Sequence, residues 1–467
     1  MAYSHTTWTA LQTALSTRLG DGSQRFWTST EIPLYLAESI RSFGLCSAFW
    51  RQRGVLATST SQPFYDLTSV LSGSLLTSTV TDRDIIQQIQ FYLCESASTQ
   101  SSWPGTAQFT YNDVVNSLTR RRNQFLSDTG IILTRSTQAV ASPPIGRQSL
   151  TDTIIDVRRA SFQGASPLNY YTTLWRTDER ELVLDSTSWN VNSGAPVAFS
   201  VMGPPPLQVQ IVPPPVSSGT LDMLTVNTGQ TLDPATSATA LGVPDDVSPA
   251  VKWGALADLL GIDGQARDSS RAQYCETRYQ QYVQLARLLA CVVNAEIQGV
   301  SSIPTSLYDL DAGVADFQNY TGTPNYPALA GWNMLAISPV PDGVYSITLD
   351  VIKNAPVPSA GGDQVQIGRE QLDMILDYAE HLALFKVGGY EFAATQRQAD
   401  NFLLQSITYN QRLSATAKYI FAAKKDSQRE KDMRPRRQQS DGLGAMPAVQ
   451  EASSFVKARV PVRLKQQ

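Results

Sequence analysis

The sequence has few cysteines and histidines, and this excludes much metal and redox chemistry. Four cysteines occur in 467 residues, at Cys46, Cys94, Cys275 and Cys291, and their spacings of 48, 181 and 16 match no zinc site or disulfide framework. Two histidines are too few for a histidine-based metal centre. We therefore expect no metal, no cofactor and a reduced protein made in the cytosol.

Long apolar runs are also missing, which excludes a transmembrane helix. The best candidate, Leu285–Val293, is interrupted by Arg287 and followed by Asn294. The N-terminal residues have neither a basic start nor an apolar stretch, so we expect no signal peptide. Because 42% of the residues are apolar, the chain can form several cores, and its length predicts two to four domains.

Catalytic signatures are absent as well. There is no Gly-Lys of a P-loop, no Gly-x-Gly-x-x-Gly and no nucleophile elbow. His381 lies in a helical pattern, where a surface or hydrogen-bonded interior histidine is the favoured interpretation. The segment Asp309–Gly313 weakly resembles a calcium loop but lacks the closing Glu, so an ordinary loop is favoured. Carboxylate pairs such as Asp245 and Asp246 are typical of caps and turns, which leaves a glycosidase open but predicts no enzyme.

Charge is scarce and unevenly distributed. Only 17% of the residues are charged, and residues 423–467 carry a net +6 while the remainder carries −10. We predict a basic, flexible arm that could bind nucleic-acid phosphates or become ordered against an acidic subunit. Phe455 is its only aromatic residue, so docking on protein is favoured. The candidate docking residues are Lys424, Lys425, Arg429, Lys431, Arg434, Arg436, Arg437, Lys457, Arg459, Arg463 and Lys465.

Two similar helix starts indicate a duplicated helix pair near the N terminus. Thr28 with Glu31, and Thr110 with Asp113, each have the spacing of a capping box, and the two boxes lie 82 residues apart. An amphipathic run precedes each box. We favour duplication over chance similarity. In the second helix, Arg120–Arg122 are interpreted as a solvated face, with an ion pair or subunit contact as the alternative.

A second pattern also occurs twice. The alternating strand Leu207–Ile211, three prolines and a strand through Val226 are followed 124–126 residues later by Asn333–Ile337, Pro339 and Tyr345–Val351. A helix pair with a glycine break follows each ribbon. The sequence thus predicts an α+β fold, in which a helical-bundle N-terminal region precedes antiparallel β ribbons alternating with helix pairs, with internal duplication.

These patterns divide the chain into four predicted domains. Residues 1–130 form a helical region of two helix-pair repeats, and residues 131–300 a β ribbon with a helix pair. Residues 301–422 form the second ribbon and helix pair, and residues 423–467 form the basic arm. Between the ribbons and the N-terminal helices, residues 181–184 have the pattern of a short strand.

The order of these features resembles head-to-tail adaptor (neck) proteins of tailed bacteriophages and the related tubular tail, or nozzle, proteins. The resemblance covers roughly residues 5–290 and rests on the order of the segments along the chain and on their residue patterns. The segments that carry it are Phe26–Ile32, Leu36–Ile40, Ile154–Arg158, Arg180–Asp185, Trp189, Leu207–Val226, Trp253–Leu260 and Arg271–Tyr279. The second ribbon unit and the arm depart from those families.

The resemblance implies a structural virion protein that forms a ring in the connector, joins portal to tail and surrounds the DNA channel. The expected partners are further copies of the chain in a ring, a dodecamer by family resemblance, the portal protein, and tail or nozzle proteins. Packaged DNA would be near without specific binding, and no membrane is involved. The protein would be assembled in the host cytoplasm and reside in the virion neck or tail until genome ejection.

The physical character of the chain independently favours a ring subunit. Low charge permits wide contacts, because charge is costly to bury. A net −10 body would repel DNA phosphates, so we expect it to line part of the channel. The alternatives are a nozzle or baseplate protein, a glycan-acting virion hydrolase, and a nucleic-acid-binding protein that uses the arm.

Overall fold

The computed structural model describes residues 5–68, 70–95, 108–140, 147–165, 170–185, 189, 191–204, 206–264 and 267–410. These residues fall within one compact unit, Met1–Ala417. The predicted arm of residues 423–467 lies outside the described residues. The α+β class is confirmed, because helices and several largely antiparallel sheets alternate along the chain.

Ten α-helices are present in the described residues. They are α1 (Trp8–Arg18), α2 (Ile32–Ser47), α3 (Asp82–Tyr92), α4 (Tyr111–Thr129), α5 (Glu179–Asp185), α6 (Ser248–Gly261), α7 (Ser269–Leu288), α8 (Leu307–Gly313), α9 (Arg369–Leu384) and α10 (Gly389–Thr408).

The capping box predicted at Thr110 is confirmed at the start of α4. The Thr110 hydroxyl accepts the Asp113 amide at 3.2 Å, and the Asp113 carboxylate accepts the Thr110 amide at 3.0 Å. The box predicted at Thr28 forms only in part. Glu31 accepts the Thr28 amide at 3.3 Å, but the Thr28 hydroxyl bonds that of Thr30, and α2 starts later, at Ile32. The Glu31 amide donates to the Thr28 main-chain carbonyl at 3.0 Å and is therefore not available to the Thr28 hydroxyl.

The same described residues contain seventeen strands. They are β1 (Arg51–Ala57), β2 (Phe64–Asp66), β3 (Thr134–Val140), β4 (Arg147–Ser149), β5 (Ile154–Gly164), β6 (Tyr171–Arg176), β7 (Ala198–Met202), β8 (Gln208–Val212), β9 (Gly219–Asn227), β10 (Val292–Ile297), β11 (Val300–Ser302), β12 (Thr305–Ser306), β13 (Thr321–Gly322), β14 (Tyr326–Ala330), β15 (Met334–Ser338), β16 (Val340–Pro341) and β17 (Ser346–Ile352).

Three of the four sheets in the described residues are small, with two to four strands each. One has the order β1-β17-β10-β11 and is antiparallel, with Arg51 opposite Ile352 and Ala57 opposite Ser346. A second has the order β12-β14-β15-β2, and a third is the short parallel pair β13-β16. Because β1, β10 and β17 come from the three predicted domains, the boundaries predicted at residues 130 and 300 fall inside one packed unit.

A fourth sheet forms the β lobe, which we define as the described residues between 134 and 227. Its strand order is β3-β9-β5-β6-β7-β8-β4, with β6 and β7 parallel. The lobe has its own apolar cluster, which includes Val157, Phe162, Phe199 and Met223. The remaining helices and sheets share a separate, larger core.

The predicted β ribbons are wrong as pairings, although their strands are present. Strand β8 pairs with β4 and β7, whereas β9 pairs with β3 and β5; likewise, β15 pairs with β14 and β2, whereas β17 pairs with β1 and β10. Proline has no amide hydrogen, so the segment Pro213–Pro215 cannot continue the ladder from β8 into β9. The strand predicted at residues 181–184 is helix α5.

The larger core is built around the helix pairs. Helices α6 and α7 pack together, as do α9 and α10, and α2 packs on α9. Trp253 on α6 is fully buried, with ring centroids 5.2 Å from Phe385 and 5.3 Å from Tyr92. Helix α7 also contacts the second pair, since the Tyr274 hydroxyl lies 2.8 Å from His381 Nε2 on α9.

Candidate interaction surfaces

The predicted docking arm cannot be placed, since its residues, Lys424 to Lys465, lie outside the described residues. The structure therefore neither brings these side chains together nor separates them. Docking by the arm remains a prediction.

The basic run Arg120–Arg122 is mostly engaged within the chain. Arg121 binds Asp258 at 2.5 Å and Glu276 at 2.9 Å, and Arg120 contacts the same Asp258. Arg122 is buried and donates to the carbonyl oxygen of Gln230 at 2.7 Å. The ion-pair interpretation thus holds for Arg120 and Arg121, while the solvated face was wrong for Arg121 and Arg122. A subunit contact at this run stays a prediction.

His381 is an interior histidine with a partner on each ring nitrogen, as the favoured interpretation predicted. Its Nδ1 lies 2.8 Å from the Thr395 hydroxyl and its Nε2 lies 2.8 Å from the Tyr274 hydroxyl. The ring stacks on Phe392 at 4.6 Å. Burial, together with the nearby Arg278, lowers the pKa of His381 to about 3. The neutral imidazole, with a hydrogen-bond partner on each nitrogen, therefore contributes to the packing of the core.

The segment Asp309–Gly313 belongs to helix α8, so the ordinary loop that we favoured there is wrong. Ser306 caps it by accepting the Asp309 amide at 3.1 Å, and Asp311 is buried against Arg159 at 2.8 Å. The Asp309 carboxylate in turn accepts the Ser306 hydroxyl at 2.7 Å, so both carboxylates are used within the fold. Across the described part of the chain, no group of three or more His, Cys, Asp or Glu side chains could hold a metal ion.

A buried charge cluster joins α2 to α6. Lys252 contacts Glu38, and Trp253 donates its indole N–H to Glu38 at 2.7 Å. Burial lowers the pKa of Lys252, against the effect of Glu38. Nearby, Asp246 accepts the Ala355 amide at 3.0 Å, and its burial raises its pKa to about 7. These buried contacts connect α2 with α6, and Asp246 with the segment after β17, which are far apart in the sequence.

The cysteines show no reactive environment among the described residues. Cys46, Cys275 and Cys291 are buried and Cys94 is exposed, and all four are free thiols. Burial raises the pKa of Cys46 and of Cys291 to about 12, and raises that of Cys275 as well. Thiols with raised pKa values are poor nucleophiles at neutral pH.

None of the described helices combines the length and apolar character that a membrane span requires.

A cleft of about 480 Å³ with a mixed apolar and basic lining lies where the β lobe meets α4, α7 and α8. We call it the Trp175 cleft. Its wall includes Leu174, Phe199, Leu289 and Trp332, and the Trp332 indole N–H donates to the Leu289 carbonyl at 2.9 Å. That hydrogen bond fixes the end of α7 against the turn after β14. The cleft has the size of a binding site for a side chain or small ligand.

Two exposed aromatic residues stand at this cleft. Trp175 on β6 is 53% exposed and Tyr308 on α8 is 71% exposed, with ring centroids 6.5 Å apart. Trp175 also lines a neighbouring cleft of about 570 Å³ with Leu182 and Val197. Exposed aromatic residues in a concave setting are typical of protein contacts.

Four arginines also line the Trp175 cleft. Arg158 and Arg176 share Asp156, each at 3.0 Å, and Arg159 is paired with Asp311. Arg287 binds only the main-chain carbonyl of Asp128 in the described structure, at 2.6 and 2.8 Å. Four guanidinium groups against two carboxylates leave the cleft basic, although the body of the chain is acidic.

Sequence reasoning missed the Trp175 cleft. The alternation in β6 carried part of the signal, since Leu174 is buried and the next side chain must face the other way. Tyr308, however, reaches the cleft through the tertiary packing of α8, which no local pattern reports.

Residues 80–295 match the family model described as SU10 adaptor protein. The match spans slightly less than half of the chain, from the start of α3 to β10. No protein of curated function matches the chain significantly. The family match supports an adaptor-type structural protein of a bacteriophage, which is a virion component that interacts with other phage structural proteins.

Proposed function

We propose that this chain forms a homo-oligomeric ring in the head-to-tail connector of a tailed bacteriophage, where it joins portal to tail and surrounds the DNA channel. The observation that carries the proposal is the match of residues 80–295 to the adaptor family. By the resemblance described above, the ring has twelve copies. Its neighbours are the portal protein on one side and tail or nozzle proteins on the other.

The surface supports a role in assembly. Several large apolar side chains of the β lobe are exposed, among them Trp175, Leu184, Val191 and Val197. Such groups favour protein contacts, because burying apolar area removes it from water. A ring subunit needs two lateral contacts and contacts to the layers above and below, which together require much surface of this kind.

We propose that the chain is not an enzyme. The carboxylate pair at residues 245 and 246 supports this, because both side chains serve the fold. Asp245 accepts the amides of Thr79 and Val80 at 2.7 and 2.8 Å, and Asp246 is fully buried. A virion hydrolase remains the second class to test, by incubating the purified chain with host polysaccharide. We expect no release of reducing ends.

The acidic body would face the channel in this proposal. Residues 1–422 carry a net charge of −10, which would repel DNA phosphates and let DNA slide during ejection. The basic arm would then dock on a neighbouring subunit or partner protein, away from DNA. Truncation after Ala422 should leave DNA affinity unchanged and weaken attachment to the neighbour. A lumen lined by Lys and Arg would contradict this arrangement.

Internal duplication is a further part of the proposal. Helices α6 and α7, of 14 and 20 residues, follow β8 and β9, while α9 and α10, of 16 and 20 residues, follow β15 and β17. The matching order and lengths support two copies of one unit. Superposition of residues 207–288 on residues 333–408 in experimental coordinates tests it.

The connector role is tested with the purified chain and purified portal rings of the same phage. Gel filtration with mass measurement should give a complex in which the chain and the portal have equal copy numbers, or numbers related by symmetry. A nozzle or baseplate protein would bind tail components and leave portal rings free. That result would contradict a position in the neck but would still be consistent with a structural protein of the tail.

A further inference from the structure

Helix α7 separates two surfaces of opposite shape. Its start lies beside the turn between α9 and α10, since the Arg271 guanidinium is 4.4 Å from the Phe385 ring centroid. Its end lies at the Trp175 cleft, which Arg287 and Leu289 help to line. A helix of 20 residues is about 30 Å long, so the turn and the cleft lie at opposite ends of this rod.

The surface at the start of α7 protrudes. We call Val387–Glu391 the α9–α10 turn. Gly388 and Gly389 have φ values of 71° and 62°, which only glycine adopts easily, so this turn is specified by the sequence. It projects Tyr390, which is 87% exposed, directly before the exposed Glu391. Among the described residues, no ion-pair partner lies within 4 Å of the Glu391 carboxylate.

The surface at the end of α7 is concave and complementary. The Trp175 cleft offers two exposed aromatic rings and a volume of about 480 Å³ to an aromatic side chain. Its four arginines exceed its two carboxylates, and the Arg287 guanidinium contacts a carbonyl without a carboxylate partner in the described structure. An entering aromatic residue followed by an acid therefore matches both the shape and the charge of the cleft.

We propose that the Trp175 cleft of one copy binds the α9–α10 turn of the next copy, with Tyr390 packed against the exposed sides of Trp175 and Tyr308 and Glu391 near Arg287. This inference rests on the proposed ring and names the lateral contact within it. The two surfaces differ and lie at opposite ends of α7, so the contact is heterologous. A heterologous contact repeats from copy to copy and closes into a ring when its rotation permits.

The test uses three single variants of the full chain, each defective on one side of the contact only. Tyr390→Ala removes the protruding ring and keeps the cleft, whereas Trp175→Ala or Tyr308→Ala damages the cleft and keeps the turn. Since all three side chains are more than half exposed, we expect the variants to fold, with circular dichroism as the check. Tyr326→Ala, which removes another exposed ring, is the matched control.

Native mass spectrometry and sedimentation then measure association. Each variant should weaken the contact by about 30-fold or more, as expected for a central aromatic residue, and the control should assemble as wild type does. The decisive sample is an equimolar mixture of Tyr390→Ala and Trp175→Ala. The intact turn of the second variant fits the intact cleft of the first, so the mixture should form heterodimers and no rings.

Two results would overturn the contact. One is assembly of both single variants at wild-type concentrations, and the other is a mixture without heterodimers. If wild-type chains form rings in either case, the connector role stands and the lateral contact lies elsewhere. Wild-type chains that never associate, alone or with portal rings, would remove the proposed function and this contact together.

Discussion

The β lobe is held to the body by a buried ion pair whose removal should be costly. Arg159 on β5 donates to Asp311 on α8 at 2.8 and 2.9 Å, and both residues are more than nine-tenths buried. The guanidinium also lies 5.4 Å from the ring centroid of Phe64 and 5.5 Å from that of Phe317. Asp311→Ala would leave this buried charge without its carboxylate.

The expected loss in the free energy of unfolding follows from that geometry. Breaking a buried pair by removing one partner costs about 3–5 kcal/mol. The side-chain oxygen of Gln318 still accepts from Arg159 at 3.2 Å, so we expect the lower end, about 3 kcal/mol. The double variant Arg159→Met with Asp311→Leu should recover most of this loss, because it removes both charges and keeps apolar volume.

Urea unfolding of Asp311→Ala, the double variant and wild type at one protein concentration measures the effect. The exposed pair Arg147 and Glu179, also in the β lobe, is the matched control. Removal of Glu179 should cost less than about 1 kcal/mol, as for surface pairs. The reasoning would be refuted if Asp311→Ala cost no more than this control at an unchanged urea dependence.

Three further predictions concern pH and helix capping. Burial lowers the pKa of His381 from 6.5 to about 3, so its neutral form stabilises the fold above pH 6.5. This stability is lost as the pH falls from 6.5 towards 3. The unfolding free energy of the His381→Gln variant should therefore fall less than that of wild type over the same range. Burial raises the pKa of Asp246 from 3.8 to about 7, so the fold loses stability as the pH rises from 3.8 to 7. The Asp246→Asn variant should be more stable than wild type at pH 8. Its unfolding free energy, measured by urea titration, should also change less with pH. Thr110→Ala should cost about 1 kcal/mol by loss of its cap, whereas Thr28→Ala should cost clearly less because its hydroxyl bonds Thr30; equal losses in thermal unfolding would contradict this.

The sequence predicted the local structure better than the long-range structure. The start of α4 was predictable because the capping box at Thr110 lies within four residues. The partner of β1 was not, because β17 lies about 300 residues away and many strands share its alternating pattern. We predicted that strands adjacent in the sequence pair as ribbons. The proline segment after β8 separates β8 from β9, and each of the two strands pairs with other strands.

The candidate site shows the same limit. The resemblance in the order of its segments implied a phage adaptor, and the family match supports that level of description. The Trp175 cleft combines β6 with α7 and α8, which begin 93 and 131 residues after β6 ends. The basic lining of the cleft could not be predicted from the acidic net charge of the body. Net charge does not indicate which arginines lie together on one surface of the fold.

The most direct test of the account is electron microscopy of the purified full-length chain, alone and mixed with portal rings. We predict closed rings with a central channel wide enough for duplex DNA, stacked on the portal in the mixed sample. Single particles that remain monomeric in both samples, at concentrations where portal rings are intact, would contradict the account.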